Sequence, residues 1–270
     1  MTSARQAFST TRVSPRGDSD RHVRNEYLPD AVSDTIPVIG PVFSIEANAP
    51  TLVHSLKGRG VCHDDPTRDP ASAASLLRRA TDLQREAELL IRTLDLRAML
   101  ETLGPTELVG SVVSGLMVWR DIDFCVDCPQ LRPERVWDAL RPLLIDPQVT
   151  QLDYRNETGE RAPDGDPTAQ RLYLVLRYAA APGVEWKIDL SLWTVELPSD
   201  PGELLAELDR RLTHETRLAI LWIKDVWHRL PVYPNDVGGF EVYDAVLNHG
   251  VRTPDDFDRY LRQRGLPGRH

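Results

Sequence analysis

The sequence has 270 residues, of which 41% are hydrophobic and 27% are charged, and its formal net charge at pH 7 is −9. This composition is ordinary for a folded globular protein, and no apolar run is long enough to predict a membrane-spanning helix. Binders of duplex nucleic acid usually carry a basic face, so the acidic balance favours small, neutral or cationic partners over duplex nucleic acid.

The cysteines and the first residues bear on the compartment. Cys62, Cys125 and Cys128 are too few for a disulfide framework, and their odd number is typical of a reducing environment. The first sixteen residues contain three arginines and no acid. They lack the apolar segment of a secretory signal, and a polar tail and a transit peptide both fit them. We expect a cytoplasmic protein.

Residues 1–70 carry many breakers of regular structure, including seven prolines. They are predicted to form a mostly irregular N-terminal segment, with a short strand near residues 37–45.

Regular structure is predicted from Ala71 onward, where apolar residues recur at helical spacing to about Leu94. A second helix is predicted to end at Gly104-Pro105, a strong stop signal. Farther along, apolar and polar residues alternate as they do in strands, and residues 179–183 are a short connection typical of a hairpin. The predicted elements are helices over 71–94, 96–103 and 133–144, and strands over 107–113, 116–126, 149–154, 171–178 and 184–193.

The last part of the chain is predicted to be helical, over residues 202–211, 214–229, 239–248 and 254–264. Because strands cluster first and helices follow, we predict an α+β fold: a mixed sheet with helices packed on it over residues 71–198, then an all-α C-terminal domain over residues 199–270.

The segment Asp121-Ile122-Asp123 places two carboxylates on one face of a predicted strand. Adjacent carboxylates repel each other unless a cation joins them, and Mg²⁺ prefers oxygen ligands of this kind. A pair of solvated carboxylates on an exposed sheet face is the simpler interpretation of this motif taken alone.

Two further features favour a metal site. Gly110-Ser111 lies in a turn before the Asp121 strand, where backbone N–H groups and a hydroxyl suit a phosphate. Asp189 lies on a later alternating strand and faces away from that strand's apolar row. If the two strands are neighbours, the three acids form a cluster able to hold two metal ions.

Gly110-Ser111, then Asp121-Ile122-Asp123, then Ile188-Asp189 resembles the motif of the DNA polymerase beta-like nucleotidyltransferase superfamily, in particular its small antibiotic-modifying members. The resemblance covers about residues 75–230. It implies that Asp121, Asp123 and Asp189 bind two Mg²⁺ ions, and that Asp189 also serves as general base. Gly110 and Ser111 would hold the terminal phosphates of a nucleoside triphosphate, whose nucleoside monophosphate is transferred as pyrophosphate leaves.

Two lysines are further candidates for nucleotide binding. Lys187 shares a strand face with Asp189, so it is able to contact a phosphate or to neutralise the acids. Lys224 lies on a basic stripe of a predicted helix, where it either binds the triphosphate or belongs to a solvated face beside Asp225. Cys125 and Cys128 form a C-x-x-C without a second ligand pair, which indicates structural cysteines.

The expected function is Mg²⁺-dependent transfer of a nucleoside monophosphate to a hydroxyl of a small molecule, such as an aminoglycoside or a lincosamide. The alternatives are an enzyme of the toxin–antitoxin type that modifies a protein or a transfer RNA, and a non-catalytic protein that only binds nucleotide. The expected partners are a nucleoside triphosphate and a small-molecule or protein acceptor, without a membrane.

Overall fold

The computed structural model describes residues 66, 69–196, 201–234 and 236–269. The short strand predicted near residues 37–45 and nearly all of the irregular segment predicted over 1–70 lie outside these residues. None of the helices in the described ranges combines the length and the apolarity that crossing a bilayer requires.

The first helix, α1 (Pro70–Thr93), begins as the sequence predicts. Asp69 caps it, because its carboxylate accepts hydrogen bonds from the backbone N–H groups of Ala71 and Ser72. A short helix, α2 (Leu96–Glu101), follows. Asp95, directly before it, has a left-handed backbone conformation with φ of 50°.

A mixed sheet forms the centre of the described chain and contains five strands in the order β1-β2-β5-β4-β3. The β2–β5 pair is parallel and the other pairs are antiparallel. The predicted β4–β5 hairpin is present. The strands are β1 (Thr106–Val109), β2 (Asp121–Asp127), β3 (Val149–Glu157), β4 (Arg171–Ala181) and β5 (Val184–Trp193).

One face of this sheet is apolar and covered by helices. Ile122 and Phe124 of β2 and Ile188 and Leu190 of β5 are fully buried there, in one core with residues of α1, α2 and the crossover helix α4 (Pro133–Leu144). The alternating residues of the same strands therefore point to the opposite face, which is where the acids lie.

The predicted strands over 107–113 and 116–126 are both too long. β1 ends at Val109, and a short helix, α3 (Gly110–Ser114), follows, because Gly110 with φ of 71° turns the chain out of the ladder. Gly115, with φ of 66°, ends α3. The residues of 116–118 are apolar because they are buried in the two cores, not because they pair in the sheet.

Four helices follow the sheet, close to the predicted ranges. The helix α6 is buried on most of its sides and packs against α1, α7 and α8. The described residues from position 66 onward belong to one compact unit. The predicted division at residue 198 stays a prediction. The helices are α5 (Pro201–Arg211), α6 (His214–Trp227), α7 (Gly239–Asn248) and α8 (Pro254–Gln263).

Candidate active site

Three carboxylates meet on the open face at the centre of the sheet. The parallel register of β2 and β5 places Asp123 opposite Asp189 and Asp121 opposite Lys187. Asp121, Asp123 and Asp189 each offer a carboxylate oxygen, and these oxygens lie within 4.8 Å of one another. The structure thus brings together the three acids that the sequence predicted as one cluster.

Burial makes this cluster electrostatically unfavourable without a cation. It raises the pKa of the Asp121 carboxyl to about 6, against the opposing influence of Lys187. It also raises the pKa of Asp123 well above its usual value, and the charges of Asp121 and Asp189 raise it further. A positive ion is therefore needed to keep all three groups ionised.

Lys187 supplies one positive charge to the cluster. Its Nζ lies 2.5 Å from Asp189 Oδ2 and 3.3 Å from Asp121 Oδ1. Burial alone lowers the pKa of Lys187, but the neighbouring carboxylates more than offset this effect, and the pKa is raised overall. Lys187 therefore stays an ammonium group, and in this structure it contacts the acids. Its contact with a phosphate stays a prediction.

Tyr173 of β4 is a member of the site that the sequence did not reveal. Its hydroxyl donates a hydrogen bond to Asp189 Oδ2, at 2.5 Å. Because Lys187 bonds to the same oxygen, two donors fix the carboxylate of Asp189 in one orientation. The predicted hairpin is the sequence signal that could have identified Tyr173. Its register pairs Tyr173 with Ser191, which lies two residues after Asp189 and on the same face of the sheet.

The other oxygen of the same carboxylate, Oδ1, has a different environment. Asp189 is only 7% exposed, and its Oδ1 has no hydrogen-bond partner among the described residues. A buried carboxylate oxygen without a partner is costly, whereas a bound cation would satisfy it. The donor set is made of carboxylate oxygens, which are the ligands that Mg²⁺ prefers. The residues present fit a divalent cation.

Gly110 brings the turn at the end of β1 close to the cluster. A Cβ atom at this position would lie 2.5 Å from Asp123 Oδ2, and the φ of 71° also favours glycine. The next residue, Ser111, is buried, and its hydroxyl lies at the start of α3. The Gly110-Ser111 turn therefore lies directly beside the acids.

Lys224 reaches this turn from α6. It is 1% exposed, so it does not lie on a solvated face. Its Nζ donates hydrogen bonds to Ser111 Oγ at 2.9 Å and to the Leu116 carbonyl at 2.7 Å. Its neighbour Asp225 pairs with Arg79 and Arg229 instead. Lys224 thus places a buried positive charge behind Ser111, and its role in nucleotide binding stays a prediction.

Known proteins offer matches in structure only. No protein-family model and no curated protein matches the sequence. Similar solved structures include the Cid1 poly(U) polymerase with Mg and 3'-dATP bound, which is 15% identical over 59% of this chain and 47% of its own, with a TM-score of 0.40. A STING-associated CdnE c-di-GMP synthase from Capnocytophaga granulosa is 9% identical over 74% of this chain and 75% of its own, with a TM-score of 0.42.

A third similar structure is terminal uridylyl transferase 4 from Trypanosoma brucei with dUTP bound, which is 15% identical over 72% of this chain and 61% of its own, with a TM-score of 0.38. The chain spans about half the length of the poly(U) polymerase structures that it matches.

Proposed function

We propose that the protein is a Mg²⁺-dependent nucleotidyltransferase that moves a nucleoside monophosphate from a nucleoside triphosphate to an acceptor hydroxyl. The observation that carries the proposal is the convergence of Asp121, Asp123 and Asp189 on one face, with Asp189 Oδ1 buried and unpartnered among the described residues. A buried carboxylate oxygen without a donor is costly, and a divalent cation bound by the three acids would satisfy it.

Asp121, Asp123 and Asp189 are the residues that would hold Mg²⁺. When bound, Mg²⁺ neutralises the charge that develops on the phosphates during an in-line displacement. The Ser111 hydroxyl, with the Lys224 ammonium 2.9 Å behind it, forms a positive end of the site for the terminal phosphates.

In the reaction, the acceptor oxygen forms a bond to the α-phosphorus, and the bond from that phosphorus to the departing pyrophosphate breaks. The hydroxyl proton must leave the acceptor, and we assign its removal to Asp189, whose other oxygen accepts a hydrogen bond from Tyr173. The residues of the chain thus bind the phosphates, orient the reacting groups and remove a proton, and positioning accounts for most of the catalysis.

The finer proposal is that the acceptor is a small molecule of the aminoglycoside or lincosamide kind. On β3, which β4 separates from the Asp189 strand, the open sheet face carries acidic and basic residues in alternation, namely Asp153, Arg155 and Glu157. Arg171 of β4 forms an ion pair with Glu157. A long polyanion is usually bound along a continuous basic surface. This mixed surface favours a compact acceptor with both polar and charged groups.

The test is incubation of the full chain with Mg²⁺, each α-labelled nucleoside triphosphate and a panel of acceptors: aminoglycosides, lincosamides, a protein and transfer RNA. We expect label transfer to a small molecule. Asp123→Asn should abolish this transfer, and Asp138→Asn, at an exposed carboxylate on α4 and away from this sheet face, should leave it intact.

Label on the protein or on transfer RNA would instead support the toxin–antitoxin alternative. If no pair of Mg²⁺ and nucleoside triphosphate raises the melting temperature and no acceptor is labelled, the proposed function is wrong. Stabilisation by a nucleotide without any transfer would support the non-catalytic alternative.

A further inference from the structure

A lysine ammonium lies between two of the three carboxylates that would hold the metal. Lys187 is two residues before Asp189 on β5 and is paired in register with Asp121. Its Nζ is within hydrogen-bond distance of one oxygen on each of these acids, at 2.5 Å and 3.3 Å. A side chain in this place occupies carboxylate oxygens that a bridging cation would also need.

The charges of the cluster indicate how many cations it can take. Three carboxylates and one ammonium leave two formal negative charges, which is the charge of a single divalent ion. A second divalent ion would make the cluster positive unless anionic phosphates arrive with it, or unless Lys187 moves away from the acids.

The ammonium group of Lys187 has a second favourable partner, an aromatic ring. Its Nζ lies 5.5 Å from the centre of the Trp119 ring, and Trp119 in turn contacts Tyr233 edge-on, at 6.3 Å between ring centres. An aromatic face attracts an ammonium group, and the four-carbon stem of lysine allows the group to move between partners. Release from the acids therefore does not leave the ammonium without a favourable contact.

We infer that Lys187 is an internal cation that competes with a divalent ion for Asp121 and Asp189 and turns to the triphosphate when nucleotide is bound. The inference rests on the proposed function, because it takes the acid cluster as the metal site. It has a measurable consequence: without nucleotide, removing the ammonium should strengthen metal binding.

The experiment is a titration of the full chain with Mn²⁺ in the absence of nucleotide, with free Mn²⁺ followed by its electron paramagnetic resonance signal. We expect Lys187→Met, and equally Lys187→Gln, to bind Mn²⁺ about tenfold more tightly than the unchanged chain, because a competing positive charge is removed. Two variants are used so that a folding defect in one is recognised in its melting curve.

Arg120→Gln is the matched control. Arg120 directly precedes Asp121 but pairs with Glu86 rather than with the cluster. Its loss removes one nearby positive charge without freeing a carboxylate oxygen of the site, so Mn²⁺ affinity should change less than twofold. Equal effects of Lys187→Met and Arg120→Gln would overturn the inference. Mn²⁺ affinity would then depend on the total nearby positive charge and not on the contact of Lys187 with the acids.

Nucleotide binding supplies the second measurement. With Mg²⁺ present, Lys187→Met should bind nucleoside triphosphate about tenfold more weakly, the opposite sign to its effect on Mn²⁺. If Mn²⁺ binds the unchanged chain and Lys187→Met equally, the inference fails while the proposed function stands. If neither binds Mn²⁺, the metal site itself is wrong and both fail.

Discussion

Tyr173 acts on Asp189 through a contact that depends on strand register. A shift of one residue in the β4–β5 hairpin would turn Tyr173 to the other face of the sheet. The ladder does contain an irregularity between Ala179 and Ala181, close to the turn. The sequence predicted the hairpin, but its alternation could not predict which residues of β4 would face Asp189.

Tyr173→Phe removes the hydroxyl that bonds to Asp189 Oδ2 and leaves the ring in place. We expect kcat to fall about tenfold with little change in the KM for nucleoside triphosphate, because the carboxylate of Asp189 then loses the hydroxyl donor that orients it while nucleotide is bound. Steady-state kinetics of nucleotidyl transfer measure both constants.

The matched control for this substitution is Tyr178→Phe. Tyr178 lies on the same strand, but its hydroxyl bonds to Gln148, away from the site. A kcat that falls equally in both variants would show that the effect is a loss of stability in β4 and not a change in the orientation of Asp189.

Gly110→Ala tests the approach of the turn to the acids. The added methyl group would meet Asp123 Oδ2 at 2.5 Å, and the positive φ adds strain. We expect a loss of about 1–2 kcal/mol in the free energy of unfolding, together with weaker Mn²⁺ binding, because Asp123 must move. Urea unfolding and Mn²⁺ titration measure the two effects.

Gly183→Ala separates strain from contact. Gly183 also has a positive φ, of 74°, but a Cβ there meets no atom within 4 Å. The Gly183→Ala variant should lose a similar free energy of unfolding and should bind Mn²⁺ as the unchanged chain does. Unchanged Mn²⁺ binding in Gly110→Ala would contradict the importance of this close approach.

At the scale of elements, the sequence predicted best where local signals are strong. α4 begins at Pro133, a residue well suited to the first helical turn, and β5 alternates regularly; both have the predicted bounds. The prediction failed over 107–113, because Val112 and Val113 favour a strand whereas Gly110 imposes a turn.

The sequence did not predict that β2 and β5 are neighbours; the acid cluster was predicted on the condition that they are. The two strands are separated by 66 residues between Asp121 and Lys187, and no local pattern states that they pair. The identity of the three acids was therefore predictable from residue types and alternation. Their convergence depended on the sheet topology, which tertiary packing determines.

Lys224 is the contact through which α6 holds the Gly110-Ser111 turn. We expect Lys224→Met to lower the affinity for nucleoside triphosphate about tenfold or more, because the charge behind Ser111 is lost. The melting temperature should also fall, since the substitution leaves the Ser111 hydroxyl and the buried Leu116 carbonyl without their ammonium donor. Nucleotide titration and thermal unfolding are the measurements.

Arg217→Met is the control for this prediction. Arg217 lies on the same helix and bonds to the carbonyl of Ser114, so it also holds α3, but not at Ser111. If it weakens nucleotide binding as strongly as Lys224→Met does, α6 acts by anchoring the turn, and the charge of Lys224 has no special role.

The whole described molecule has two apolar cores that share α1. Leu83 and Ala87 of α1 belong to the core under the sheet, whereas Ala80 belongs to the core among the C-terminal helices. Leu116 and Val118, which precede β2, also lie in the second core. Residues before position 198 thus complete the core of the helices that follow it.

This sharing predicts that the described part of the chain unfolds as one cooperative unit. Leu140→Ala creates a cavity in the first core and Leu261→Ala creates one in the second, and both leucines are buried. Each should lose about 2–5 kcal/mol in the free energy of unfolding. Because α1 couples the cores, both substitutions should move the same single calorimetric transition to lower temperature. Two transitions, each shifted by only one of the substitutions, would instead establish the division at residue 198 as a boundary between independently folding domains.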